Sequence, residues 1–236
     1  MIPKKIHYCW FGRGQMPDFA LRCIESWHEV MPDYEYKLWN EDNFDIDGNV
    51  YVQEAYEAGK YAFVSDYVRL HALAEEGGIY MDVDFMTYKP FDDLLSYDAF
   101  AGFEGSKYNP LMMGVIASRA GGLWVREVLS YYQDRHFMID GTPDYTTNVQ
   151  FVSRKMKENG FVQNGLEQDY LDLHIFPVEY FCPRLTTGEY KRNHNTYCES
   201  VGTPSWRKPT LKGRLLSLLP PALRTSLILL KRRILG

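Results

Sequence analysis

One run of residues constrains the fold more than any other: a helical stretch, a double glycine and a hydrophobic strand that ends in two carboxylates. It reads Ser65-Asp66-Tyr67-Val68-Arg69 and then Gly77-Gly78-Ile79-Tyr80-Met81-Asp82-Val83-Asp84. Tyr67, Leu70, His71 and Ala74 recur at helical spacing, as do Val68 and Ala72, and no proline interrupts them. Ser65 supplies the hydroxyl of an N-cap, and Asp66 then sits where the helix dipole favours a carboxylate. Gly77-Gly78 provides a left-handed stop. Asp66 and Arg69 stand three residues apart, so they project from one helical face toward a common ligand.

After Gly78 the period changes to two. Ile79, Met81, Val83 and Phe85 fall on one face of a strand, and Tyr80, Asp82, Asp84 and Met86 on the other. Lys89-Pro90 closes it, because proline cannot donate to a ladder. Asp82 and Asp84 then point the same way, with alpha carbons roughly 6.5–7 Å apart. Hard carboxylate oxygens so placed suit Mg²⁺ or Mn²⁺, which keep water and substrate phosphate oxygens as further ligands. Two solvated aspartates on an edge strand have the same spacing. The apolar residues ahead of the pair read instead as a buried strand, where ionised carboxylates are costly unless paired or metal-bound.

The rest of the chain reads as α/β. Strands are expected at Lys5–Phe11, Glu35–Trp39, Ala99–Phe103 and Met112–Ala117. Helices are expected at Pro17–Val30, Gly121–Tyr132 and Thr147–Gly160, the last capped by Thr147 and stopped by Gly160. In open α/β sheets ligands bind beyond the carboxyl ends of strands, and the aspartates lie late in theirs. A chain of 236 residues with 45% hydrophobic content is long and apolar enough for a sizeable core. Its eighteen tyrosines serve both cores and carbohydrate sites. Cys9, Cys23, Cys182 and Cys198 lack CxxC spacing, and no signal-type apolar segment opens the chain. Reduced thiols and a cytoplasmic location are the expectation.

These motifs carry a family resemblance. Phe63-Val64-Ser65-Asp66, Arg69 and the run Gly77–Asp84 resemble the signature of DXD sugar transferases of glycosyltransferase family 32, which includes capsular polysaccharide and Och1-type enzymes. They are also similar to the catalytic domains of clostridial glucosylating toxins. Ile2-Pro3-Lys4-Lys5-Ile6-His7-Tyr8-Cys9-Trp10-Phe11-Gly12, Pro32-Asp33-Tyr34-Glu35, Leu38-Trp39-Asn40, Tyr180-Phe181-Cys182-Pro183 and Ser205-Trp206 follow in the order such chains show. The resemblance implies a GT-A fold, a Rossmann-like mixed sheet flanked by helices, over residues 1–208. It also implies a sugar moved from a nucleotide diphosphate, UDP-linked by expectation, with retention of configuration. By the same resemblance Asp84 holds the metal. Asp82 binds metal, directly or through water, or the ribose; Asp66 and Arg69 contact donor sugar hydroxyls and phosphate. Trp10 either stacks on the base or is an ordinary core tryptophan. Ser205 and Trp206 close on the diphosphate, and Asn148 and Gln150 face the acceptor.

One departure concerns the metal. Relatives carry a histidine pair shortly before Ser-Trp, whereas this chain has Tyr197-Cys198-Glu199-Ser200-Val201-Gly202. Either Glu199 supplies the third ligand or the aspartates act alone; His194 is the weaker candidate.

The net charge of −5 conceals an asymmetry. Leu211–Gly236 holds six basic residues and no acid, so the other 210 residues carry −11, the −5 of the whole less the +6 of this segment. Pro220-Pro221 divides its leucine-rich stretch into pieces too short for the roughly 20 residues of a bilayer span. Residues 209–236 therefore read as an amphipathic helical tail that lies on an anionic membrane, or as a C-terminal helix packed on the domain. The acidic body argues against nucleic acid. A glycosyltransferase acting on a glycan or lipid-linked glycan acceptor, in surface polysaccharide synthesis at the inner face of the membrane, follows. A GT-A shell that binds nucleotide sugar without turnover is the alternative. A phosphohydrolase with Asp82 as nucleophile lacks its downstream lysine and acidic motifs.

Overall fold

In the computed structural model, residues 1–105, 109–185 and 189–202 are described. Ser205, Trp206, the boundary at 208 and the basic tail lie outside them. The first half contains β1 (Lys5–Cys9), α1 (Asp18–Val30), β2 (Glu35–Trp39), α2 (Val50–Glu57), α3 (Tyr61–Glu76), β3 (Gly78–Met81), β4 (Phe85–Thr87) and β5 (Ala99–Gly102). The second half contains β6 (Val115–Ser118), α4 (Leu123–Ser130), β7 (Met138–Ile139), β8 (Thr142–Pro143), α5 (Asn148–Glu158), β9 (Gln168–Tyr170), β10 (Leu173–Phe176) and β11 (Cys198–Ser200).

The main sheet has seven strands in the order β2-β1-β3-β6-β5-β10-β9. β1 runs parallel to both β2 and β3, while β6 runs antiparallel to β3 and β5. Side chains alternate across the sheet, as a period of two requires. Tyr80, Ile116, Ala99 and Ala101 face a core built with α2–α5; Ile79, Met81, Val115, Ala117 and Phe100 face a second core with Trp27 of α1. This is the mixed sheet between helices expected from the sequence.

Several boundaries differ, each for a physical reason. β1 stops at Cys9 because Trp10 makes one last backbone bond, to Trp39 O at 3.0 Å, before the chain turns at Gly12. α3 begins at Tyr61, four residues ahead of Ser65, so Ser65 is no N-cap. Its hydroxyl donates back to Tyr61 O at 3.1 Å inside the helix. Phe63 and Val64 are buried, and their packing extends the helix where no side-chain cap exists. Gly77 ends α3 at φ 66, ψ 178, a conformation confined to glycine, rather than in the left-handed helical well.

The larger correction concerns the aspartates. Residues 79–86 do not form one strand. Asp82 N–H donates to Gly114 O at 2.8 Å, and Phe85 N–H donates to Asp82 O at 3.1 Å. Val83 and Asp84 therefore form a turn. Beyond it β4 leaves the main sheet and pairs antiparallel with β11, with Phe85 opposite Ser200. α1 holds β4 in place: Trp27 Nε1 donates to Phe85 O at 2.7 Å, and Thr87 N–H to Ser26 Oγ at 3.1 Å.

A buried histidine fixes the end of α3 to the sheet. The Trp39 indole can only donate, so His7 Nδ1 accepts from it at 3.0 Å, and His7 Nε2 carries the proton given to Gly77 O at 2.8 Å. Burial holds the His7 pKa below the usual imidazole range. The four cysteines are free thiols.

Candidate active site

The site forms where β3 ends, at the carboxyl end of the parallel β1–β3 pair. Arg69 reaches it from α3 with its side chain 7% exposed. One terminal nitrogen of its guanidinium meets Asp66 at 2.9 Å and Asp82 at 3.4 Å, and the other donates to Met113 O at 2.6 Å. Nε donates to Ser65 O at 3.1 Å, and the group lies 4.7 Å from the centre of the Tyr80 ring. Burial opposes the guanidinium charge, but Asp82, Tyr80 and Asp66 outweigh it and leave the pKa raised. Asp66 and Arg69 do share a face. Arg69 thus bridges the two carboxylates and is itself anchored on the carbonyls of Ser65 and Met113.

Asp82 also accepts from the Tyr80 hydroxyl at 2.8 Å, and its side chain keeps 36% exposure. Gly114 packs against this carboxylate so closely that an added Cβ would lie 2.9 Å from Asp82 Oδ2. Asp84 accepts from Ser200 Oγ at 2.9 Å, and its backbone carbonyl from Val201 N–H at 2.9 Å. Burial and then the charge of Asp82 push the Asp84 carboxyl up to about 6. Burial pushes Asp66 up to about 7 against the pull of Arg69. Asp84, half-buried beside the charge of Asp82 and bonded to a hydroxyl, is the carboxylate at which a cation is favoured.

The remaining candidates divide. Trp10 follows β1 at the same end of the sheet, half-exposed, with its indole N–H given to Gly14 O at 2.6 Å. Asn148 is buried at the start of α5; its amide donates to Asp66 O at 3.3 Å, and its Oδ1 finds no partner among the described residues. Gln150 donates its backbone N–H to the Thr147 cap at 3.4 Å. Glu199 does not join the aspartates. Strand alternation turns it away from Ser200, and its carboxylate takes the hydroxyls of Tyr88 and Tyr190 at 2.5 and 2.9 Å. Among the described residues no group of three His, Cys, Asp or Glu side chains is placed to hold a metal. Ser200 is the contact that sequence reasoning missed, because nothing local reveals that residue 200 pairs with residue 85. Tyr80 was foreshadowed by its two-residue spacing from Asp82.

Residues 17–101, which contain Asp66, Arg69, Asp82 and Asp84, match the family described as the glycosyltransferase sugar-binding region containing DXD motif. The subversion of eukaryotic traffic protein A of Legionella pneumophila is 33% identical over 119 residues, 39% of this chain and 18% of that protein. Inositol phosphoceramide mannosyltransferase 3 of Schizosaccharomyces pombe is 32% identical over 102 residues, 42% of this chain and 28% of that protein. The match thus spans less than a third of either relative. Among solved structures, PaToxG glycosyltransferase superposes with a TM-score of 0.51 at 17% identity, over 67% of this chain and 70% of that one, which establishes the shared GT-A fold. The region that holds the paired aspartates is thus similar to the sugar-binding region of DXD-motif glycosyltransferases.

Proposed function

We propose that this protein transfers a hexose from a nucleotide-diphosphate donor, UDP-linked in our reading, to a hydroxyl of a glycan or lipid-linked glycan. The observation that carries the reading is the turn on which Asp82 and Asp84 converge, with Arg69 and Asp66 directly behind. Asp82 and Asp84 are the residues that would hold Mn²⁺ or Mg²⁺, and their hard oxygens together with the poorly compensated charge at Asp84 fit such an ion. When bound, the ion supplies positive charge for the leaving diphosphate.

The chain's own residues orient and shield. Arg69 and Tyr80 fix the carboxylate of Asp82, and Ser200 fixes that of Asp84. The Trp10 ring offers a platform for the base. Arg69 and Asp66 hold each other at 2.9 Å; retention by same-face substitution without an enzymic nucleophile is part of this proposal. Attachment to the inner face of a membrane through residues 209–236, and a role in surface polysaccharide synthesis, belong to this proposal. The mannosyltransferase name of the fission-yeast relative supports a hexose and a lipid acceptor.

The test is hydrolysis of nucleotide sugars by the full chain with Mn²⁺ and with chelator. Release of sugar that stops on chelation is expected; undiminished release in chelator would sink the metal-dependent reading. The lack of a third ligand among the described residues favours the alternative of a binder without turnover. That alternative requires donor binding with no sugar released.

A further inference from the structure

The cluster that removed Glu199 from the metal has its own design. Glu199 is 5% exposed. Its Oε1 takes both phenol hydroxyls, while Oε2 is buried without a hydrogen-bond partner among the described residues. The phenol rings carry cations: the guanidinium of Arg192 lies 3.7 Å from the centre of the Tyr88 ring, and that of Arg184 lies 5.0 Å from that of Tyr190. Lys89 Nζ sits 3.6 Å from the centre of the Tyr197 ring, opposite Tyr88 in the ladder.

Both arginines stay too far from Glu199 for hydrogen bonds, at 3.8 Å for Arg184 and 3.9 Å for Arg192, and their side chains are 61% and 44% exposed. Glu199 therefore orders two phenols, the phenols order two guanidinium planes, Arg192 also bonds Tyr190, and both guanidinium groups keep part of their surface in solvent. Two guanidinium groups stand around one buried carboxylate, and Lys89 lies over the ring of Tyr197, two residues before Glu199 in the chain. The other nearby acids are Asp93, which takes the Tyr197 hydroxyl, and Glu189, exposed on the adjoining hairpin. Planar, pre-oriented guanidinium groups are suited to forked bonds with phosphate oxygens.

Glu199 and Ser200 are adjacent, so the cations lie beside the aspartate turn but on the side of the ladder away from Ser200. A group bound there belongs to a molecule that approaches the site from outside, not to the diphosphate at Asp82 and Asp84. We propose that Arg184, Arg192 and Lys89 form a phosphate subsite that takes a phosphate ester carried by the acceptor. The word acceptor rests on the transferase reading; the phosphate subsite does not.

The full chain is titrated with inositol 1-phosphate and with inositol. It is also sedimented with vesicles of phosphatidylcholine alone and with phosphatidylinositol added. Expected is a preference of about tenfold or more for the phosphate-bearing soluble probe or vesicle, lost in the Arg184→Gln/Arg192→Gln double variant. Binding of the soluble probe identifies a free phosphate ester as sufficient; binding of the vesicle alone identifies a lipid headgroup at a surface. Either supports the subsite where the double variant loses it; vesicle binding that the double variant keeps belongs to the basic segment 209–236, and the soluble probe then decides. Mn²⁺-dependent donor hydrolysis should stay within about twofold in the double variant, since neither arginine touches the aspartates. Equal binding of inositol and its phosphate with no vesicle preference, a double variant that binds like the wild type, or displacement of the probe by UDP with Mn²⁺ would each overturn the proposal. Absent donor hydrolysis in the wild type would instead overturn the transferase reading and leave the phosphate titration to be judged by itself.

Discussion

Asp82 and Asp84 are separated by a single residue, yet they belong to different parts of the scaffold. Asp82 is fastened to the seven-stranded sheet through Gly114 O, the Tyr80 hydroxyl and Arg69. Asp84 is fastened to the two-stranded β4–β11 ladder through Ser200 and Val201. The turn between them is the joint where the ladder meets the sheet. Their electrostatics differ accordingly: Asp82 has a guanidinium within 3.4 Å, whereas Asp84 has a hydroxyl. The less compensated carboxylate is the one at which a cation gains most.

The largest effect expected on this contrast comes from Arg69→Met. It leaves Asp66 and Asp82 without their buried partner, which costs about 3–5 kcal/mol, read as a fall in the denaturant midpoint. A loss below about 1 kcal/mol would show that the sheet side does not depend on the ion pair. Asp84→Asn acts on the ladder side. It keeps an acceptor for Ser200 and removes the charge, so metal-dependent turnover should fall on the order of 10²–10³-fold. Because the Asp84 carboxyl is pushed up to about 6, its ionisation opposes folding at neutral pH. The Asn variant should therefore melt no lower than the wild type, and a marked drop would mean that the charge is structural.

Ser200→Ala is milder. It should raise the Mn²⁺ dissociation constant about tenfold while leaving the melting temperature nearly unchanged, because the backbone pairing of β11 persists. An unaltered dissociation constant would break the link between the ladder and the metal.

The smallest effect is on the sheet side and is driven by pH. His7 is held neutral below its ordinary pKa, so it contributes stability above the usual imidazole range and loses it as pH falls through that range. The slope is at most about 1.4 kcal/mol per pH unit. His7→Gln should remove that part of the pH dependence measured by thermal melting.

Much of the scaffold was readable residue by residue. The periodicity of Tyr67–Ala74 placed α3, the alternation of Ile79–Met81 placed β3, and Thr147 did cap α5. The failures share one cause. Ser65 looked like a cap because its hydroxyl fits that role, but burial of Phe63 and Val64 moved the helix start. The aspartates looked like two residues of one strand because hydropathy carries through Phe85, but the bond from Phe85 to Asp82 bends the chain. Glu199 looked like a ligand by position, but two phenols hold its carboxylate.

Asp66, Arg69, Asp82 and Asp84, and with them the likeness of residues 17–101 to the DXD-motif sugar-binding region, are determined by the sequence alone, because helical and strand periods are local and the motif is contiguous. The division of the aspartate pair between sheet and ladder, the bond from Ser200 to Asp84 and the arginines set on phenol rings exist only in the tertiary structure. They depend on β11 meeting β4 from more than a hundred residues away, and no local pattern of residues encodes which strand a distant segment will pair with.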